Sequence, residues 1–255
     1  MLLYFRFLKK TGMNLVIDAG NTSVKTAVFQ NNRLIEKQIF TKEKFSVEFE
    51  KTRKKYPEIR NSIVSSVTFD ELNMISEVKK AFQVMEFNNS TPVPFENKYA
   101  SPETLGKDRI ALVASAVNSF AKKNVLIIDA GTCITYDLKT SEEKYLGGAI
   151  SPGLSMRFKS LHKFTANLPL VTPKPEADLI GDTTENSILS GIINGIKMEL
   201  KGTIESYSSQ FEDLTVIFTG GDSQILSIPL KNSIFANSNF LLEGLNFILE
   251  FNKTQ

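Results

Sequence analysis

Two short segments carry the acids and small residues that phosphate chemistry needs. Val16-Ile17-Asp18-Ala19-Gly20-Asn21-Thr22 recurs in altered form as Ile127-Ile128-Asp129-Ala130-Gly131-Thr132-Cys133. In each, an apolar run that reads as a buried strand ends in an acid and a glycine, followed by hydroxyl or amide groups. Magnesium prefers carboxylate, water and phosphate oxygens, so Asp18 and Asp129 are candidates to hold Mg²⁺ or its water shell. Gly20 and Gly131 let backbone N–H groups approach phosphate oxygens with no side chain in the way. Asn21, Thr22, Ser23 and Thr132 add polar donors, and Lys25 points either along a phosphate tail or out to solvent. Two such loops facing each other would form a nucleotide cleft.

A third segment, Leu105-Gly106-Lys107-Asp108-Arg109, stands at the start of a helix. An acid beside a cation suits a phosphotransferase, because the acid can orient or deprotonate an alcohol while the cation holds an anionic acceptor. The helix N-terminus adds positive potential for a carboxylate. Thr219-Gly220-Gly221 follows a late apolar strand and offers a surface with few side chains on which a nucleoside could lie. The chain contains no G-x-x-x-x-G-K-[ST] loop and no G-x-G-x-x-G after either strand, which argues against the familiar P-loop and dinucleotide folds.

The elements that must position these groups can be traced from periodicity. Strands are expected at 14–18, 24–29 and 34–39, the last two joined by an Asn31-Asn32 turn, as a three-strand meander. A charged helical segment over 42–56, a strand at 62–67 and a helix at 70–82 follow, then a Pro-rich stretch at 91–94. A helix covers 109–120, with alanines at 111, 114 and 116 that allow close packing against a sheet or another helix. The meander then restarts with strands at 124–129 and 134–138 and a segment through Gly147-Gly148-Ala149-Ile150. Helices are expected over 151–164 and 183–208, a strand at 214–218 and a closing helix at 241–249.

Composition bounds the rest. The chain has 255 residues, 42% hydrophobic and 23% charged, which suits a globular α/β protein with one large domain or two small ones around a shared cleft. A net charge of +2 with interleaved signs gives no nucleic-acid signature. The single cysteine excludes an intrachain disulfide and a thiolate zinc cluster, and the single histidine, His162, removes His-based triads. No stretch is long and apolar enough to read as a membrane span, so no membrane association and a cytoplasmic location are expected. Met13, just before the first strand, is a candidate functional start.

On all these segments together, in this order, the chain resembles the type III pantothenate kinases, the acidic-loop class of the sugar kinase and actin fold group. The resemblance runs from Met13 to the C-terminal region. It passes through Asp18–Ser23, Gly106–Arg109, Asp129–Thr132, Gly147–Gly153, Thr165–Pro169 and Thr219–Gly221. It implies an α/β fold of two ribonuclease H-like, actin-like ATPase domains, at 13–118 and 119–255. Each would have a mixed sheet flanked by helices, with a nucleotide cleft between them.

The activity implied is ATP-dependent phosphorylation of the 4'-hydroxyl of pantothenate, the first step of coenzyme A biosynthesis. Carried over residue by residue, Asp108 is the general base and Arg109 contacts the pantothenate carboxylate, with Gly106 and Lys107 in the same acceptor segment. Asp18 and Asp129 organise metal and phosphate, and the Gly20, Gly131 and Thr219–Gly221 segments hold ATP. A monovalent cation, K⁺ or NH₄⁺, is expected near the Asp129 loop. The resemblance also implies a homodimer with the acceptor pocket at the subunit boundary, where Thr184 reaches the partner's site and Tyr99 lines the pocket. Cys133 stands where the family commonly has alanine. The alternatives are another small-molecule kinase of the same fold group and a noncatalytic regulatory relative.

Overall fold

The first acidic run becomes a buried strand in which Asp18 is the penultimate residue. In the computed structural model, which describes residues 12–20, 23–66, 71–226 and 234–253, Leu15, Val16 and Ile17 are at most 1% exposed within β1 (Met13–Ala19). β2 (Val24–Gln30) and β3 (Arg33–Phe40) continue the meander. Asn31 and Asn32 both take positive φ, 50° and 62°, the twist that a two-residue hairpin needs and that asparagine tolerates better than most side chains. α1 (Phe45–Lys55), β4 (Ile59–Ser66), α2 (Glu71–Ala81) and β5 (Gln83–Glu86) complete the first half.

The chain divides into two compact units. The first comprises the described residues up to Pro94, Ala100–Asn118 and the segment from Phe240 onward; the second comprises Phe95–Tyr99 and Ser119–Asn239. In the first unit the strand order is β3-β2-β1-β4-β5. β1 runs antiparallel to β2 and parallel to β4. One face buries Leu15, Ile17, Val24 and Val64 against Phe45 and Phe49, whose rings stack with centroids 5.5 Å apart. Each such fully buried side chain contributes about 1.5–3 kcal/mol through removal from water. α3 (Lys107–Ser119) and α7 (Phe240–Lys253) belong to this unit, and α3 is buried from Arg109 through Ala116.

The second unit repeats the order with additions: β11 (Ile234–Ala236), β10 (Thr215–Thr219), β7 (Val125–Ala130), β8 (Cys133–Lys139), β9 (Lys144–Pro152) and β6 (Glu96–Asn97). β7 is antiparallel to β8 and parallel to β10, as β1 is to β2 and β4. Its core joins Leu126, Ile128 and Val216 to Leu154, Phe158, Leu189 and Leu200 on α4 (Leu154–Phe164), α5 (Thr184–Leu189) and α6 (Gly195–Ser208). This is the α/β actin-like ATPase architecture, with a mixed sheet and flanking helices in each unit.

Several elements differ from the periodicity reading. β9 stays extended through Pro152, and α4 begins only after Gly153, because a strand that pairs with β8 as far as Cys133↔Pro152 cannot also start a helix at residue 151. The expected helix over 183–208 is interrupted by a wide π-type turn at Ser190–Asn194, where Ser190 and Asn194 side chains donate to carbonyls of the preceding loop. The edge strands β5, β6 and β11 are too short to show alternation. Relative to a split after residue 118, the C-terminal helix lies with the first unit and 95–99 with the second, since α7 contacts β1 and β4 while β6 pairs with β9. Among the described residues no helix is long and apolar enough to cross a membrane.

Candidate active site

Asp18 is the penultimate residue of β1, and the sheet sets it opposite Lys25 of β2 and Ser65 of β4. The Lys25 Nζ lies 3.6 Å from Asp18 Oδ2, with the carboxylate 15% and the lysine 41% exposed. Burial raises the Asp18 pKa above the usual carboxylate range; Lys25 opposes that rise, and the negative charge of Asp108 adds to it. The fold therefore brings Asp108 into the field of Asp18 inside the first unit. The Gly20 N–H donates to the Ser23 carbonyl at 3.0 Å and closes the turn, so this donor is used locally. Asn21 and Thr22, expected to serve phosphate, lie outside the described residues.

The four residues from Gly106 to Arg109 divide their roles. Asp108, in the first turn of α3, is exposed, and its Oδ1 accepts the Arg109 backbone N–H at 2.9 Å. A Cβ at position 106 would meet that same oxygen, and the Asp108 side chain would have to turn away from it. Lys107 donates through Nζ to the Ser66 carbonyl at the end of β4, tying α3 to the strand next to β1. Arg109 is only 5% exposed. Of the three charged side chains expected to meet an acceptor, Asp108 is the one presented to solvent, and Lys107 fixes the helix.

In the second unit Asp129 holds the equivalent place in β7, opposite Thr135 of β8 and Thr219 of β10. The Gly131 N–H donates to the Cys133 carbonyl at 2.9 Å, again closing its own turn, and Thr132 is exposed. Thr219 is buried and its hydroxyl donates to the Asn237 carbonyl at 2.7 Å, so it braces the strand end. Gly220, at φ +96°, turns the chain back onto β7; a Cβ there would sit 2.5 Å from Asp129 Oδ1 and 2.6 Å from the Ala130 carbonyl carbon. The Asp222 N–H donates to the Ala130 carbonyl at 2.9 Å and completes the contact. Among the described residues nothing lies within 4 Å of where a Cβ at position 221 would stand.

A support that periodicity did not single out stands behind this second turn. Arg157 on α4 donates to the Pro152 carbonyl at 2.8 Å, to Ser151 Oγ at 2.9 Å and to Glu199 on α6 at 2.5 Å. Tyr136 of β8 donates to the other Glu199 oxygen at 2.9 Å. Burial opposes ionisation of Glu199, but hydrogen bonds from Arg157, Ser151 and Tyr136 outweigh it and hold its pKa below the ordinary value. The same burial and the Glu199 bond push Tyr136 up. The network fixes Ser151–Gly153, and Gly153 in turn donates to the Thr132 carbonyl at 3.2 Å. A sequence signal existed in the Gly-Gly-Ala-Ile-Ser-Pro-Gly run, but nothing in it names Glu199 as partner.

Thr184 is exposed in the first turn of α5 and lines a cavity of about 860 Å³ together with Arg157, Leu168, Thr183, Ile188 and Gly191. Tyr99 is not among its walls; it stacks on Tyr145 with ring centroids 6.1 Å apart, beside Gly147. The exposed His162 places Nδ1 2.8 Å from the Leu168 carbonyl. Among the described residues no group of three or more His, Cys, Asp or Glu side chains could hold a metal by itself. Single carboxylates at two strand ends suit magnesium instead, which keeps waters and takes phosphate oxygens alongside one or two protein ligands.

Comparison with known proteins gives a concordant result. The sequence pattern of the family described as type III pantothenate kinase matches residues 14–206. A type III pantothenate kinase of Christiangramia forsetii is 74% identical over 243 residues, spanning 95% of this chain and all of that protein. Among solved structures, a conserved Campylobacter jejuni protein described as a Baf family transcriptional activator superposes with TM-score 0.64 at 21% identity, over 94% of this chain and all of that one. The apo psk41 ParM protein does so with TM-score 0.53 at 10% identity, over 95% of this chain and 98% of that one. At these identities the structural likeness concerns the fold.

Proposed function

The chain belongs to the type III pantothenate kinase family, and on that premise we propose how its residues divide the work. As a family member it is an ATP-using kinase that phosphorylates pantothenate in coenzyme A biosynthesis. The observation that carries the residue assignment is the exposed Asp108 carboxylate at the N-terminus of α3, within the field of Asp18. Asp108 accepts the proton of the 4'-hydroxyl as that oxygen attacks the γ-phosphorus of ATP in line. Its bond from the Arg109 N–H orients one carboxylate oxygen, leaving the other for the alcohol.

Asp18 and Asp129 would each hold a Mg²⁺ ion or its water shell beside the phosphates, and the ion supplies neutralisation of charge on the transferring oxygens. The half-buried Asp18 carboxylate fits such a partner, because a cation offsets the cost that burial imposes on its charge. Lys25 steadies the same region, and Thr132, Gly131 and the Thr219-Gly220-Gly221 turn border the nucleotide in the second unit. A K⁺ or NH₄⁺ ion near the Asp129 loop is part of the same reading.

A homodimer is proposed as well. The second unit exposes Ile150, Phe164, Leu179 and Ile180 at 63%, 79%, 73% and 83%, apolar side chains that a second copy of the chain would cover. Thr184 and its cavity would reach the partner's acceptor site; Tyr99 is proposed as a pocket-lining residue and Arg109 as a contact for the pantothenate carboxylate. A cytoplasmic location accords with the single free thiol. The test of the activity is direct: purified protein with ATP, Mg²⁺ and K⁺ releases ADP only when pantothenate is added. ADP release that ignores pantothenate but follows another alcohol would overturn the substrate assignment, and light scattering of a fully active monomer would overturn the dimer.

A further inference from the structure

The closing helix α7 does more than fill the core of the first unit. Its polar residues Asn246 and Glu250, one turn apart, are each 3% exposed and meet Asn14 of β1, which is 1% exposed. Asn14 Nδ2 donates to Asn246 Oδ1 at 2.8 Å and to Glu250 Oε1 at 2.6 Å. Lys253 donates to Asn14 and to Glu250, and Asn246 donates to Asn32 in the β2–β3 turn at 3.0 Å. Buried polar groups of this kind are costly unless fully matched, so the cluster fixes the register of α7 on β1. Asn14 and Asp18 are four residues apart on β1 and therefore project from one face of the sheet.

The same helix touches α3. At Gly244 a Cβ would lie 2.7 Å from the Ala111 carbonyl carbon, closer still to its oxygen, and 3.2 Å from Ser115 Cβ. The two helices thus meet backbone to backbone at a point one turn beyond Asp108, where α3 offers only alanine and serine. α3 is held at its other contact by Lys107 on Ser66. A continuous path of packed groups runs from Asp18 along β1 to Asn14, through α7 to Gly244, and across to α3 and Asp108.

We propose that Gly244 is a positioning residue for phosphoryl transfer: the closely docked C-terminal helix acts as a strut that sets where α3 presents Asp108 relative to Asp18. The inference rests on the assignment of Asp108 as the acceptor-activating acid. In the middle of a helix, alanine is favoured over glycine by about 1 kcal/mol, so a glycine here is not explained by local helix preference. Any side chain at 244 must push α3 outward, and a displacement of about 1 Å at a reacting group costs on the order of a hundredfold in rate.

The test is a cycle of Gly244→Ala and Asp108→Asn, alone and combined, read as kcat and the KM values for ATP and pantothenate. Gly244→Ala is expected to lower kcat by roughly 10- to 100-fold while the KM for ATP changes less than about threefold. In the Asp108→Asn background the same change is expected to lower kcat by less than about twofold, because the group it misplaces is already gone. Should Gly244→Ala fail to fold, Asn246→Ala loosens the strut's contact with β1 without adding bulk, and the same cycle with Asp108→Asn is expected to show a smaller loss that likewise vanishes. Equal losses in both backgrounds, or unchanged kcat in folded Gly244→Ala, would overturn the positioning role. Full activity of Asp108→Asn alone would instead overturn the assignment on which it rests.

Discussion

The two Asp-Ala-Gly turns occupy matching places in their sheets and are closed differently. In the first unit residues 20–23 separate Ala19 from its partner Val24, and Asp18 faces Lys25. In the second, residues 131–133 separate Ala130 from Ile134, and Asp129 faces Thr135. One residue fewer in the turn changes what stands across from the acid while leaving the acid at the strand end. The first carboxylate is set between a cation and a second acid, Asp108. The second has the Thr219–Asp222 turn folded over its own oxygen and a braced Ser151–Gly153 segment behind it. A repeated motif has thus acquired two electrostatic settings, one acid placed between a cation and a second acid and the other placed under a folded-over turn.

The comparison can be broken at the acids themselves. Asp18→Asn and Asp129→Asn are each expected to lower kcat by on the order of a hundredfold and to raise the Mg²⁺ concentration needed for half-maximal rate, read by ADP release across a Mg²⁺ titration. If only one of them does so, the two turns do not share the metal and phosphate work. The residues opposite the acids sharpen the contrast. Lys25→Met is expected to reduce kcat/KM for ATP by about tenfold, since a charge beside the phosphates is lost. Thr135→Val is expected to change it less than about twofold, because Thr135 Oγ1 is buried without a hydrogen-bond partner in the structure and its removal costs little.

Backbone contacts come next. Gly220→Ala forces a Cβ against Asp129 and the Ala130 carbonyl at positive φ, and a loss of about 1–3 kcal/mol in unfolding free energy is expected by denaturant titration. Gly20→Ala, whose Cβ would meet, among the described residues, the Ser23 carbonyl oxygen at 3.4 Å, is expected to cost less than that. The smallest effect concerns pH. Glu199 has a folded pKa below its unfolded one, so its stabilisation is full above the unfolded value near 4.5 and is lost as pH falls through the folded value. Glu199→Gln is therefore expected to lower Tm at pH 7 and to match the parent protein at the acid end. A Tm difference that grows toward low pH would contradict the assigned network.

Much of this was legible in the residues. Apolar runs ending in Asp-Ala-Gly announced β1 and β7, and Asn31-Asn32 announced its hairpin, because strand burial and left-handed turns leave local signatures. The Gly106–Arg109 segment was legible in type but not in its contacts: only the fold shows Lys107 spent on Ser66 and Arg109 buried. What stayed hidden is long-range. Asn14 meets Asn246 and Glu250 from the far end of the chain, and no periodicity encodes such a pair. The wide turn at Ser190–Asn194 was hidden for a related reason, since loop carbonyls from residues 177–179 satisfy its side chains.

The most direct test of the whole account is the turnover of folded Asp108→Asn with ATP, Mg²⁺ and pantothenate, alongside its ATP affinity by titration. The account predicts a fall in kcat of about 10²- to 10⁴-fold, the usual worth of a positioned general base, with ATP affinity changed by less than about threefold. Turnover close to that of the parent protein would contradict it.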